Sequence, residues 1–165
     1  HTFRTANDKV AAENNTRGPV KAVHNDYTER SARKRLRDFL PTEMAEAQLK
    51  KRFAIVQTWR PINHFVRSEP LAICDGSTIP DEGFVPLQRR YPHRTAETYH
   101  ISFHPNHRWY YFPEMTPDEV IVFKVFDSDR SKGVPFTAHT AFDDPNTPLG
   151  APQRESVESR ALVFF

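Results

Sequence analysis

Two histidines and one aspartate in this chain have the types and spacing of a metal site. His24 and Asp26 are two positions apart in a segment expected to be extended, so their side chains project to one face while Asn25 points away. His139 lies far downstream. Two histidines and a carboxylate form the facial set that holds non-haem Fe(II) and leaves positions open for O2 and a cosubstrate. The sequence therefore predicts His24, Asp26 and His139 as metal ligands and catalytic residues.

Arg154 and Ser156 follow the last predicted ligand and could bind the far end of a dicarboxylate. Residues two apart on a strand share a face, and a guanidinium makes two parallel hydrogen bonds to a carboxylate. If 2-oxoglutarate is the cosubstrate, its keto-acid end chelates the iron and its distal carboxylate meets Arg154. Arg160, further along the same strand, and Lys124, on a neighbouring one, remain alternatives for this cation.

The same residues also fit a protein without catalysis. The chain has eight histidines, so a His-x-Asp pair is weak evidence alone, and Asp26 or Thr28 could simply cap a following helix. The polar positions of the last strand could also face solvent. A non-catalytic jelly-roll module that holds a structural metal, or none, is therefore the second hypothesis. It predicts metal binding without turnover of 2-oxoglutarate.

Length and composition limit the class of protein. The 165 residues suffice for one hydrophobic core and are too few for two, so we expect one domain over residues 1–165. The 23 basic and 21 acidic residues are interspersed, which argues against a nucleic-acid partner. No run of about 18 apolar residues occurs, so no membrane partner is expected. Five glycines and no glycine-rich loop argue against an S-adenosylmethionine site.

The remaining expectations concern location and partners. Cys74 is the single cysteine, which excludes an internal disulfide framework and suits the reducing cytoplasm. The expected partner is a small molecule. The only protein partner expected is a second copy of the chain, in a homodimer.

The elements that position these residues begin as helices. Helices are predicted over residues 28–40 and 42–52, with Thr28 and Thr42 as N-caps and Pro41 separating the two. This helical insertion covers about residues 28–52.

The rest of the chain is strand-like. Residues 1–20 show little periodicity, apart from a short strand candidate at 19–23 that leads into His24. Alternation of period two predicts further strands at 53–59, 71–75, 97–103, 108–112, 120–126 and 156–165. Helices followed by many short strands predict a mainly β fold with flanking helices, specifically a double-stranded β-helix, or jelly roll.

Seven stretches, in chain order, carry a resemblance to a known family: Val23–Thr28, Trp59–Ile62, Pro70–Asp75, His107–Pro113, Phe126–Ser128, Ala138–Pro145 and Pro152–Arg160. Together they resemble the family that includes fungal gibberellin-type desaturases, meroterpenoid oxygenases and proteins related to cephalosporin 7α-methoxylation. The resemblance runs from about residue 19 to the C-terminus.

The resemblance implies an Fe(II)/2-oxoglutarate-dependent dioxygenase of secondary metabolism. Such an enzyme uses O2 to oxidise a C–H bond of a small natural product by hydroxylation, desaturation or ring formation. Carried over residue by residue, the resemblance assigns the metal ligands and the cosubstrate clamp to the residues already singled out. It adds Arg60, in a Trp-Arg-Pro motif, as a cofactor-binding residue.

Two features depart from the family pattern. Gln57 stands where an asparagine is expected two positions before the tryptophan, which leaves any amide contact to cosubstrate or substrate open. Family members are longer at the N-terminus, and this chain opens at His1. We therefore expect an N-terminally truncated jelly roll without a helical region and its first barrel strand. An open edge and exposed core would make such a piece bind poorly or be inactive.

Overall fold

A computed structural model describes residues 1–92 and 94–165, and the strands in these ranges form two antiparallel sheets. The strands are β1 (Thr2–Thr5), β2 (His24–Asn25), β3 (Phe53–Pro61), β4 (Leu71–Cys74), β5 (Phe84–Tyr91), β6 (Arg94–Ile101), β7 (Trp109–Tyr111), β8 (Ile121–Asp127), β9 (His139–Ala141) and β10 (Glu155–Phe164). The smaller sheet has the order β1-β10-β3-β8, and the larger has the order β5-β6-β2-β9-β4-β7.

In the described residues, three α-helices accompany the sheets: α1 (Asp8–Glu13), α2 (Glu29–Phe39) and α3 (Thr42–Leu49). Two antiparallel sheets with helices beside them confirm the predicted mainly β jelly roll. Within the described ranges, no helix is both long and apolar enough to cross a membrane.

The hydrophobic core lies between the two sheets. Ile55 and Trp59 of β3 are each 2 % exposed, and they share one cluster with Val125 of β8 and Leu71 of β4. Alternation along β3 and β10 turns one set of side chains inward. On β10 the inward set begins with polar residues and ends with Leu162, so the polar face of this strand points into the protein rather than to solvent.

Helix α2 is held by its first turn and by one buried side. The Thr28 hydroxyl accepts a hydrogen bond from Ser31 N–H at 3.1 Å, and the Ser31 hydroxyl accepts one from Thr28 N–H at 2.9 Å. This reciprocal pair is a capping box, which confirms Thr28 as the N-cap. Helix α3 instead follows Pro41, which supplies no side-chain cap, so the prediction of Thr42 as an N-cap is wrong. Leu36, fully buried, joins α2 to the core.

The sequence patterns missed the first 20 residues and one edge strand. β1 and α1 form where little periodicity was evident, and residues 19–23 are not a strand, since β2 begins at His24. β5 pairs only with β6, and six of its eight residues are exposed. An edge strand with both faces exposed shows no alternation and tolerates Pro86, so period-two analysis does not detect it.

Asn25 connects the two sheets beside the predicted ligands. It is fully buried, and its amide nitrogen donates to the carbonyls of Tyr27 at 2.7 Å and Val125 at 2.9 Å. Its side-chain oxygen accepts from Thr137 N–H at 3.3 Å. One side chain therefore fixes β2 against β8 and against the segment that leads into β9.

We expect Asn25→Ala to lower the free energy of unfolding by about 3 kcal/mol, because it leaves buried backbone groups without partners. Urea denaturation followed by circular dichroism measures this difference. Asn146→Ala is the matched control, because Asn146 is exposed and bonds only within its own turn. That variant should change stability by less than about 0.5 kcal/mol. Equal effects at the two positions would contradict the structural role of Asn25.

Candidate active site

The structure brings His24, Asp26 and His139 together on the inner side of the larger sheet. His24 on β2 and His139 on β9 are directly paired in the sheet register, and their ring centroids are 4.5 Å apart. The Asp26 carboxylate lies 3.8 Å from the Nε2 atom of each histidine. One ligand atom from each residue lies within 4.8 Å of the others, which is close enough to share one ion.

The backbone sets which imidazole nitrogen is available to a metal. His24 Nδ1 lies 2.7 Å from the Ala22 carbonyl oxygen, and His139 Nδ1 lies 3.0 Å from the Thr137 carbonyl oxygen. A carbonyl can only accept, so each Nδ1 carries the proton and donates it. Each Nε2 then has a free lone pair directed toward Asp26. This is the arrangement by which outer partners orient metal-binding histidines.

Burial and neighbouring charges shift the pKa values of His24 and Asp26 toward the protonation states that bind a metal. Burial, assisted by the neighbouring His139, lowers the pKa of His24 to about 4, so this imidazole is neutral at pH 7. Burial opposes ionisation of Asp26, but Arg160 and the two histidines outweigh it and hold the pKa of this carboxyl below its usual value. A neutral imidazole and an ionised carboxylate are the protonation states that bind a divalent metal.

Arg154 and Ser156 form a second polar group deeper between the sheets. Arg154 is 2 % exposed, its Nη1 donates to the Glu69 carbonyl at 2.6 Å, and its guanidinium carbon lies 5.4 Å from the centroid of the Trp59 ring. Burial lowers its pKa to about 10, which still leaves it charged at pH 7. Arg154 Nε and Ser156 Oγ are buried without a hydrogen-bond partner.

Unpaired buried donors are costly, so these two atoms indicate a missing acceptor. A carboxylate fits, because an arginine fork and a hydroxyl on one strand face can bind its two oxygens together. The donor set therefore suits the distal carboxylate of a 2-oxo dicarboxylic acid, and the histidine cluster suits Fe(II).

Two openings reach this region. A cleft of ≈ 610 Å³ is lined by His24, Asp26 and Arg160 together with parts of α2 and β6. A cavity of ≈ 20 Å³ lies between the two histidines and Arg154, which is about the space of one water molecule. A dicarboxylate can reach Arg154 only if the side chains that line this cavity move apart.

The structure does not bring Arg60 and Lys124 to the site. Arg60 follows inward-facing Trp59, so its side chain lies on the opposite, exposed face of β3, where it donates to the Pro117 carbonyl at 2.8 Å. The predicted cofactor-binding role of Arg60 does not fit this position. Lys124 Nζ bonds the Asp127 carboxylate and the Lys132 carbonyl, both at 3.3 Å, so it is engaged away from the cluster.

Sequence reasoning did not assign roles to Gln57 and Glu158 at this site. Gln57 is fully buried opposite Arg160 in the strand register, and both of its amide atoms lack a hydrogen-bond partner. Glu158 is 6 % exposed and bonds two arginines. The alternation along β10 places Glu158 on the same inward face as Arg154. This alternation could have identified Glu158 from the sequence.

Two histidines and a carboxylate on the larger sheet of a jelly roll are the arrangement found in facial-triad, non-haem iron proteins. A family model described as "Oxidoreductase/YMDC permease-like domain" matches residues 1–164. The chain belongs to this family, and its relatives confirm the predicted kinship with fungal Fe(II)/2-oxoglutarate-dependent dioxygenases.

Three curated relatives illustrate this kinship. Aspirochlorine biosynthesis protein N of Aspergillus oryzae is 42 % identical over 81 % of this chain and 57 % of its own length. The hydroxylase/desaturase efuI of Hormonema carpetanum is 31 % identical over 100 % of this chain and 58 % of its own. The Fe(II)/2-oxoglutarate-dependent dioxygenase nvfI of Aspergillus novofumigatus is 37 % identical over 92 % of this chain and 56 % of its own.

A solved structure shares the whole described fold. The iron and alpha-ketoglutarate-dependent endoperoxidase NvfI superposes with a TM-score of 0.88 at 32 % identity, covering 99 % of this chain and 59 % of that one. The chain therefore spans somewhat more than half the length of the relatives that it matches.

Proposed function

We propose that this chain carries the catalytic core of an Fe(II)/2-oxoglutarate-dependent dioxygenase that oxidises a C–H bond of a small natural product. The observation that carries the proposal is the convergence of His24, Asp26 and His139, with both Nε2 atoms free and facing one carboxylate. When bound together, Fe(II) and 2-oxoglutarate supply O2-dependent oxidation of a C–H bond, coupled to conversion of the cosubstrate to succinate and CO2.

The chain's own residues divide the work of binding. His24, Asp26 and His139 would hold the metal through three positions on one face, which leaves the opposite positions to small ligands. Arg154 and Ser156 would bind the distal carboxylate, because both have buried donors without a partner and Arg154 lines the cavity that the two histidines also line. The wider cleft beside His24 and Asp26 would admit the organic substrate.

The unpaired donors favour this proposal over a non-catalytic jelly-roll module. A structural metal needs no dicarboxylate, so it gives no reason to bury an arginine with a free Nε beside a serine with a free hydroxyl. The relatives point the same way, since their names state hydroxylase, desaturase and dioxygenase activities.

We further propose that residues 1–165 act as one domain of this oxygenase, in the cytoplasm and without nucleic-acid or membrane partners. Cys74 is buried and unpaired, which agrees with a reducing compartment. The core cluster includes residues of both sheets and of α2, which supports one domain. A homodimer remains a proposal to be tested by the mass of the protein in solution.

The decisive experiment combines the metal-free chain with Fe(II) and 2-oxoglutarate without O2. We expect a weak visible charge-transfer band, because a 2-oxo acid chelated to Fe(II) absorbs there. Fe(II) with succinate is the control and should give no band, because succinate lacks the keto group. A folded chain that binds Fe(II) but shows no band at saturating 2-oxoglutarate contradicts the oxygenase and supports the binding module.

A further inference from the structure

The Arg160 guanidinium contacts a predicted metal ligand rather than the cosubstrate pocket. Its Nε and Nη2 atoms lie 2.9 Å and 2.8 Å from the same oxygen of Asp26, Oδ2. Asp26 Oδ1 receives no hydrogen bond from any described side chain and lies 3.8 Å from His24 Nε2. Oδ2 lies 3.8 Å from His139 Nε2, so Arg160 engages the oxygen on that side.

Arg160 is itself held by a second carboxylate. Its Nη2 lies 3.2 Å from Glu158 Oε1, and the same oxygen accepts from Arg4 Nη2 at 3.0 Å and from Arg4 Nε at 3.3 Å. Glu158 and Arg160 are neighbours on the inward face of β10, while Arg4 projects from the adjacent β1. The four groups alternate in charge from Arg4 to Asp26.

This row of charges is buried enough to have a fixed geometry. The side chains of Asp26 and Glu158 are 15 % and 7 % exposed, and those of Arg4 and Arg160 are 14 % and 26 % exposed. Buried ion pairs add little net stability compared with apolar packing, so stability is a weak explanation for three pairs among four side chains. Orientation of Asp26 is the stronger explanation, because the row ends on the carboxylate of a predicted metal ligand.

We propose that Arg160 is a positioning residue for the metal centre: it holds Asp26 through Oδ2 and thereby presents the carboxylate to the two Nε2 atoms, with Glu158 and Arg4 fixing its own orientation. The proposal rests on the proposed function, because it treats Asp26 as a metal ligand. It assigns Arg154, which immediately precedes β10, to the cosubstrate and Arg160, within β10, to the metal.

Substituting lysine for Arg154 and for Arg160, in separate variants, tests whether the two arginines have different tasks. Lysine keeps the positive charge, so repulsion of the metal is preserved, but it cannot reproduce the fork of the guanidinium. Mn(II), which is stable in air, serves as the metal, and its dissociation constant is measured by electron paramagnetic resonance of the free ion. The dissociation constant of 2-oxoglutarate is then measured at saturating Mn(II), and the thermal midpoint of each variant reports folding.

We expect opposite effects at the two positions. Arg160→Lys should raise the Mn(II) dissociation constant about 10-fold, as loss of an outer partner of a metal ligand does, and change that of 2-oxoglutarate less than about 3-fold. Arg154→Lys should leave Mn(II) binding unchanged and weaken 2-oxoglutarate binding. If Arg160→Lys does not fold, Glu158→Gln is the deciding variant, because removing the negative charge that holds Arg160 should raise the Mn(II) dissociation constant about 3-fold and leave that of 2-oxoglutarate unchanged.

Two results overturn the proposal. Unchanged Mn(II) affinity in a folded Arg160→Lys variant shows that Asp26 needs no such support. Weakened 2-oxoglutarate binding with unchanged Mn(II) affinity makes Arg160 a cosubstrate residue instead. Failure of the proposed function is a separate result, since it is seen when the unsubstituted chain binds neither Mn(II) nor 2-oxoglutarate.

Discussion

His139→Ala is expected to weaken Fe(II) binding by at least about 100-fold and to abolish the charge-transfer band, since loss of an outer partner alone costs 10- to 100-fold. His139 supplies one of the three ligand atoms and is 4 % exposed, so its loss removes a buried ligand from the site. An anaerobic Fe(II) titration at saturating 2-oxoglutarate measures the change.

The control for this variant is His100→Ala. His100 lies directly opposite His24 in the pairing of β6 with β2, yet it is outside the ligand cluster. Both variants remove an imidazole beside β2, so a general loosening of the sheet should affect them alike. A band retained in His139→Ala, or lost equally in both variants, would contradict the assignment of His139 as a ligand.

Small-molecule rescue sharpens the same test. The His139 ring packs edge-on against Phe123, with 5.0 Å between centroids, so the alanine variant leaves an apolar-walled space of imidazole size. Added imidazole is therefore expected to restore part of the Fe(II) affinity and of the band. Restoration would separate loss of a ligand from loss of packing, because a displaced β9 would not recover with imidazole.

Much of this site followed from alternation along single strands. A spacing of two puts His24 and Asp26 on one face, and the same rule puts Arg154 and Ser156 on one face where β10 begins. The same rule predicts that Arg60 lies on the opposite face of β3 from Trp59. Arg60 was predicted from its place in a Trp-Arg-Pro motif, whereas strand alternation alone excludes it from the inward face.

Other features depend on contacts between distant segments, which strand periodicity does not encode. Arg160 and Asp26 are 134 positions apart, and their contact requires the register of both sheets and the distance between them. From the sequence, Arg160 was only an alternative cosubstrate residue. Arg4 could not be connected to the site either, because β1 is a four-residue edge strand whose pattern is indistinguishable from a polar loop.

Arg154→Gln is expected to raise the dissociation constant of 2-oxoglutarate by about 30-fold or more, which corresponds to about 2 kcal/mol for loss of a desolvated charge pair. The guanidinium is buried and has a free Nε, so an incoming carboxylate would meet little competition from water. Arg60→Gln is the matched control, because this arginine is exposed on the other face of β3 and should leave binding unchanged.

A second 2-oxo acid distinguishes loss of the Arg154 contact from damage to the fold. Pyruvate has the same keto-acid end as 2-oxoglutarate but no distal carboxylate, so its binding depends on the metal and not on Arg154. We therefore expect Arg154→Gln to weaken 2-oxoglutarate while pyruvate affinity stays constant, so that the preference between the two acids collapses. Distortion of the metal centre would weaken both acids in parallel. The ratio of the two dissociation constants is taken within one variant, so it reports the Arg154 contact alone. The same ratio in Arg154→Gln and in the unsubstituted chain would contradict the assignment of Arg154 to the cosubstrate site.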